Sequence, residues 1–246
     1  APQDVLNKYG TNRFVKPSNL DPIKVKQTEV KMLKAARAQG FSPVLLSPAS
    51  PLGSCSVLAK VDQNNVITAG RGTELIADST NMLAIYLADG IKNKTIDRAG
   101  GAVHLSAACR VTRAQEMKSH THVPHFSLLS LISSGRDTGS YGFEKGALAK
   151  HLEYYIRYFE GLGYQLEISL NRRGGYTDAD GFIDRMHAYM GGVYPDIKCI
   201  ISDEKAENCY YRGLNFKVRA GGISIADGGF VDWTQRLLDN RKERLL

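Results

Sequence analysis

Apolar residues recur at helical spacing in several stretches of the chain. Between Pro22 and Gln39, Val25, Val30, Leu33 and Ala36 fall near one face, and the opposite face is basic. Asp21-Pro22 supplies an N-cap followed by a first helical residue, and Gly40 a stop, so the pattern predicts a helix over 22–39. A second helix is predicted from Thr80 to Asp89. The clearest repeat lies in 143–161, where Leu148, Leu152, Tyr155, Ile156 and Phe159 recur before Gly161 or Gly163. A short helix is expected around 182–190, and a basic one from Trp233 to the last residue.

Strand patterns fill the intervals. FSPVLLSP (41–48) is a short run bounded by prolines, preceding the Gly/Ser-rich PLGSCSV. The runs 56–61 and 65–69 flank Asp62–Asn65, which predicts a hairpin. VHLSAACRVTR (103–113) and HFSLLSLISS (125–134) flank a charged, histidine-rich loop and predict an antiparallel pair. Further strands are expected at 164–171, 197–202, 213–218 and 221–229. Residues 1–20 are polar, carry Pro2, Gly10 and Pro17, and read as an extended arm. This order of elements predicts a single α+β domain over 1–246, with a mainly antiparallel sheet flanked by helices.

Composition adds limits. With 246 residues, 43% hydrophobic and 23% charged, the chain can bury a core without metal or disulfide staples, which excludes disordered and fibrous classes. The net charge of +7 favours polyanionic partners, nucleic acid or nucleotide phosphates, and is equally that of a basic enzyme. The four cysteines (Cys55, Cys109, Cys199 and Cys209) form no CxxC pair and fit a reducing compartment. No apolar run approaches the ~20 residues of a membrane span. A cytoplasmic protein without membrane association is expected.

Three stretches carry candidate chemistry. In 109–126, Arg110 and Arg113 suit a phosphate clamp, because a guanidinium offers a planar fork of donors. Phe126 is suited to stack on a base, and His120 and His122 to reach phosphates; ordinary ion pairs and core packing would explain the same residues. His120, His122 and His125 also invite a zinc reading, but no cysteine or close carboxylate run completes a site, and no metal is assigned. In TELIADST (73–80), Asp78 and Thr80 stand where a strand gives way to a helix, suited either to capping or to a substrate ammonium. In 210–233, the glycine pairs 221–222 and 228–229 permit close backbone approach, with Asp227 and Asp232 flanking the second pair. There is no P-loop, GxSxG or HExxH, and no GxGxxG followed by a helix.

Taken in order, these stretches resemble the catalytic core of class II aminoacyl-tRNA synthetases, most closely the histidyl-tRNA synthetase branch. That branch includes the synthetase-like regulatory subunit of ATP phosphoribosyltransferase. The Pro22–Gln39 helix with Pro48 is similar to the dimer-forming motif 1. TELIADST resembles a Leu-Arg-Pro-Asp/Glu-x-Thr stretch, matching at Asp78 and Thr80, with Ile76 and Ala77 in place of Arg-Pro. Arg113-Ala-Gln115-Glu116 and Phe126 resemble motif 2, with Gln115 at the family's Glu position. Tyr210-Tyr211-Arg-Gly213 resembles Tyr-Tyr-x-Gly, and 225–233 resembles Gly-Gly-Arg-Tyr-Asp, with Phe230-Val231 in place of Arg-Tyr. Glu243-Arg244 is similar to the end of motif 3.

The resemblance implies ATP and Mg²⁺ as cofactors, an amino acid or small carboxylate as substrate, a tRNA or carrier as a further partner, and a homodimer. By the same resemblance Arg113 and Glu116 are the catalytic candidates. Arg110, Arg113, His120, His122 and Phe126 are the ATP-binding ones, and Asp78, Thr80, Tyr210, Tyr211 and Asp232 the substrate-binding ones. Three functions are open to such a chain. One is formation of an acyl-adenylate. The departures from the motifs favour the second, a non-catalytic regulatory subunit that binds an amino acid or a partner protein. The basic terminal helices favour the third, an RNA-binding module.

Overall fold

The computed structural model describes residues 1–116, 123–202 and 210–246. Helix α1 (Pro2–Thr11) precedes α2 (Pro22–Ala38), at whose start the Asp21 carboxylate accepts from the backbone N–H of Ile23 at 2.9 Å; the chain then turns at Gly40, φ +81°. Strands β1 (Ser42–Pro43) and β2 (Ala49–Pro51), helix α3 (Ser54–Ala59), and strands β3 (Thr68–Ala69) and β4 (Thr73–Leu75) lead to α4 (Ser79–Lys92). Then come β5 (Val103–Thr112), β6 (His125–Arg136), α5 (Gly142–Glu160), β7 (Leu166–Arg172), α6 (Ala179–Val193) and β8 (Lys198–Ser202). The chain closes with β9 (Tyr211–Ala220), β10 (Ile223–Val231), α7 (Trp233–Leu238) and β11 (Glu243–Leu245).

Eight strands form one sheet in the order β1-β5-β6-β11-β10-β9-β7-β8. The outer pairs β1–β5 and β7–β8 are parallel, and the pairs between them antiparallel, as the α+β pattern predicts. β2, β4 and β3 make a small antiparallel sheet beside it.

Alternation along the strands separates two layers of core. Leu105 and its cross-strand partner Ile132 pack with Leu83, Ala84 and Leu87 of α4. Leu131, one residue along, turns to the other face and packs with Ala36 of α2 and Tyr154 of α5. Leu148, Leu152 and Ile156 of α5 extend that layer over Ile168, Leu170 and Phe216, with α6 completing it through Phe182 and Met186. Each fully buried leucine of these helices contributes roughly 1.5–3 kcal/mol by leaving water. Among the described residues, no helix is long and apolar enough to cross a membrane.

Four local expectations are corrected. Residues 2–11 are helical rather than extended: Pro2 occupies the first turn, where its missing N–H costs nothing, and Asp4 and Lys8 complement the helix dipole. Residues 54–59 form α3 rather than a strand, because the buried Glu74 carboxylate accepts from the N–H groups of Gly53 (2.8 Å) and Cys55 (3.1 Å). The hairpin turn falls at Gly70–Gly72, where Arg71 and Gly72 take positive φ, and not at Asp62–Asn65, which is a single 3-10 turn. The last residues are not one helix. α7 ends at Asp239 in the left-handed region, and β11 inserts into the sheet.

Candidate functional site

The sheet is closed between β6 and β10 only where β11 lies between them. Further along, Leu128–Ile132 and Asp227–Gly229 line a cavity of about 260 Å³. Asp78, Thr80, Arg113, Tyr210 and Tyr211 stand on its wall.

Arg113 follows β5, and its backbone N–H donates to the Pro124 carbonyl at 2.7 Å, which holds the hairpin arms together. Its side-chain Nε donates to the Ala77 carbonyl at 3.0 Å, and the Phe126 ring lies 5.2 Å from the guanidinium. This leaves the outer nitrogens for an anion, and one of them lies 3.7 Å from Asp78. Asp78 is the N-cap of α4: its Oδ1 accepts from the Thr80 N–H (2.9 Å) and hydroxyl (2.7 Å), while Oδ2 faces Arg113.

Tyr210 and Tyr211 pack with ring centres 4.5 Å apart, and Tyr211 donates to Asp227 at 3.2 Å. Burial pushes the Tyr210 hydroxyl up to about 12, and burial with the nearby Asp227 pushes that of Tyr211 higher still. Both are therefore protonated donors at neutral pH. Gly228 and Gly229 make room for this wall. A Cβ on Gly228 would stand 2.7 Å from the Phe216 ring, and one on Gly229 would stand 2.7 Å from the Tyr211 ring.

Other wall residues were not apparent in the sequence. Trp233 is buried, with no partner for its indole N–H among the described residues, and Ser130 shares a 2.5 Å hydrogen bond with Ser79. His151 Nε2 lies 2.9 Å from the Ser133 hydroxyl, itself 2.6 Å from His104 Nδ1. Ser133 has one hydroxyl hydrogen for two rings, so one imidazole must donate its own N–H to the oxygen. Burial, with His104 and Lys150 adding to it, holds His151 down to about 3, hence neutral. Asp227, read in the sequence as flanking the second glycine pair, shares its side of β10 with Gly229 and Val231 by strand alternation. No sequence signal marked His151 or Trp233 as wall residues.

Of the remaining predicted residues, Arg110, Glu116, Phe126 and Asp232 lie off the cavity wall. Arg110 donates to His125 Nδ1 through Nε at 3.0 Å, with Nη2 at 2.6 Å, and His125 Nε2 contacts the Lys16 carbonyl. Asp232 pairs with Arg212 at 2.7 Å and Arg236 at 3.7 Å. Phe126 backs Arg113, and Glu116 is exposed. His120 and His122 lie outside the described residues. The segment after α1 reaches this edge: Arg13 donates to the carbonyls of Ala114 (2.7 Å) and Gln115 (3.1 Å).

No protein-family model matches the sequence, and no curated protein sequence matches it. Solved structures do. An ATP phosphoribosyltransferase regulatory subunit/histidyl-tRNA synthetase from Bacillus halodurans C superposes with a TM-score of 0.70 at 12% identity, over 95% of this chain and 79% of that one. The RNA binding domain of threonyl-tRNA synthetase from Cryptosporidium parvum Iowa II gives 0.66 at 11% identity, over 98% and 66%. Apo S. aureus histidyl-tRNA synthetase gives 0.65 at 12% identity, over 94% and 64%. This chain thus spans slightly under two thirds of the last two. The fold is the class II aminoacyl-tRNA synthetase-like one. Histidyl-tRNA synthetase, the phosphoribosyltransferase regulatory subunit and the threonyl-tRNA synthetase domain share that fold with this chain at 11–12% identity.

Proposed function

We propose that the chain binds MgATP and an amino acid or related carboxylate, and joins them as an acyl-adenylate. The observation that carries this reading is the convergence of Arg113, Asp78, Thr80, Tyr210 and Tyr211, from three distant segments, on one cavity. The cation, the acid and the phenol donors suit the three parts of such a reaction: a phosphate, an ammonium and a carboxylate.

In the proposed step the substrate carboxylate oxygen attacks the α-phosphorus. The bond from that phosphorus to the bridging oxygen breaks, and pyrophosphate leaves. Arg113, fixed from behind by the Ala77 carbonyl, meets the charge growing on the α-phosphate without reorganising. Phe126, which lies against the guanidinium, would stack on adenine in this reading. Asp78 Oδ2 and the Thr80 hydroxyl orient the amine, and Tyr210 holds the acid, while Tyr211, whose proton goes to Asp227, packs against it. Mg²⁺ enters with the triphosphate as part of the substrate. Transfer to a tRNA or carrier, by a homodimer, would follow.

ATP–pyrophosphate exchange, measured with one amino acid at a time, tests this. Exchange that depends on a single amino acid supports the reading; none with any of them overturns it. A second reading is favoured by the Asp78–Arg113 contact, in which the protein's own acid faces the phosphate-binding cation. There the chain is a regulatory subunit that binds an amino acid, and calorimetry would show that binding without exchange.

A further inference from the structure

We propose that a second, basic cavity binds a multivalent phosphate-bearing small molecule. It lies between the end of α4, the approach to β5, the end of β6 and the first turns of α5, and its volume is about 930 Å³. That is room for a nucleotide-sized ligand. Lys94, Arg98, Arg136 and Lys150 line it together with the His104 ring, and among the described residues Asp97 is the acid on its wall.

The four cations are not equivalent. Arg98 is committed to the buried Glu243 through both outer nitrogens, at 2.5 and 2.8 Å. Arg136 meets the same carboxylate at 3.6 Å through Nε alone, with its side chain 65% exposed. One carboxylate therefore serves two guanidinium groups. Lys94 and Lys150 make no ion pair among the described residues; the Lys150 ammonium lies 5.4 Å from the centre of the Phe41 ring. Counting Asp97 and Glu243 against Lys94, Arg98, Arg136 and Lys150, the concavity keeps a surplus of two positive charges. Like charges gathered in a concavity repel one another, and an anion removes that cost.

The backbone points the same way. Gly142 and Phe143, in the first turn of the 19-residue α5, are on the wall, and the N-cap position, Tyr141, offers no side-chain acceptor. The Gly142 N–H is already bonded to the Gly139 carbonyl at 2.9 Å, so what α5 offers an anion here is the positive end of its dipole. A surplus of two positive charges beside such a turn suits a doubly or multiply charged phosphate better than a single carboxylate. His104 lines this cavity and His151 the first one, with Ser133 between them, so the two are separate spaces.

Calorimetric titration of the whole chain with inorganic tripolyphosphate at fixed ionic strength tests the proposal. Saturable binding is expected. Lys150→Met with Arg136→Met should weaken it at least about tenfold, whereas the surface control Lys31→Met should leave it unchanged. Lys94→Met, at an exposed position, repeats the test if the double variant fails to fold. Absence of saturable binding overturns the proposal. So does binding that survives the cavity variants and is lost in Arg113→Met, which would put the anion in the other cavity, and so does an equal loss in Lys31→Met.

Discussion

Arg113 and Asp78 approach to 3.7 Å on the cavity wall, and each is held from behind by a different part of α4's approach: Arg113 by the Ala77 carbonyl, Asp78 by Thr80. Each is 34% exposed, so their mutual attraction contributes at most about 1 kcal/mol to the fold. Their placement is worth more to a ligand than to stability. Arg113→Ala should therefore lower pyrophosphate exchange by about 10²–10³-fold while the melting temperature scarcely moves. An unchanged exchange rate would remove Arg113 from the phosphate-binding role.

Asp78 combines capping through Oδ1 with a second carboxylate oxygen, Oδ2, that faces Arg113, and two substitutions separate the functions. Asp78→Ala should destabilise the chain by about 1 kcal/mol, read from urea unfolding, through loss of the cap. Asp78→Ser should restore most of that stability, yet still raise the KM for the amino acid. Equal recovery of both would make Asp78 a cap and nothing more.

His151 is neutral in its buried position, which makes folding sensitive to acid. Its folded pKa, about 3, lies below the ordinary value of 6.5, so the unfolded chain binds more protons between those limits. Stability is complete above pH 6.5 and falls as the pH drops towards 3, with a loss on the order of 3 kcal/mol by about pH 4. His104, held down to about 4 by burial and by Lys150, adds in the same direction. His151→Gln, which keeps a polar partner for Ser133, should flatten the pH dependence of the urea midpoint. A profile as steep as the parent's would trace acid lability to other groups.

Glu243 is 1% exposed, with Arg98 and Arg136 around it. Glu243→Ala would leave the largely buried Arg98 guanidinium uncompensated and free β11 from its anchor, at a cost of about 3–5 kcal/mol. Differential scanning calorimetry would show it as a large fall in melting temperature. A fall no greater than that of an exposed alanine substitution would contradict the anchoring role.

The parts of the fold legible in the sequence are those stabilised by local chemistry. α2, α4 and α5 carry their own periodicity, with Asp21 and Asp78 capping the first two, and the β5–β6 pair has matched apolar runs. The misread parts depend on distant partners. α3 exists where a strand pattern was read because Glu74, 19 residues after Cys55, satisfies its first N–H groups. β11 departs from a basic helix because Arg98 holds Glu243, while Asp137 and Glu144 hold Arg244. The site divides in the same way. Asp78, Thr80, Arg113, Tyr210 and Tyr211 were named from order along the chain and meet in space, whereas Asp232 is occupied by Arg212 and Arg236. His151 belongs to a segment whose only visible signal was apolar packing, and Trp233 to a glycine-rich stretch read as leading into a basic helix.

The missing methyl groups at Gly228 and Gly229 set the bore of the first cavity. Phe216 and Tyr211 already occupy the positions that side chains there would need, so the gauge of the opening is written into two adjacent backbone units rather than into any flexible residue. An alanine at either position would displace a ring that the cavity wall depends on. Ligand size and wall geometry are thus adjustable only together, and selecting variants for a bulkier substrate should leave both glycines untouched and recruit changes at Ser130 or Val231 instead.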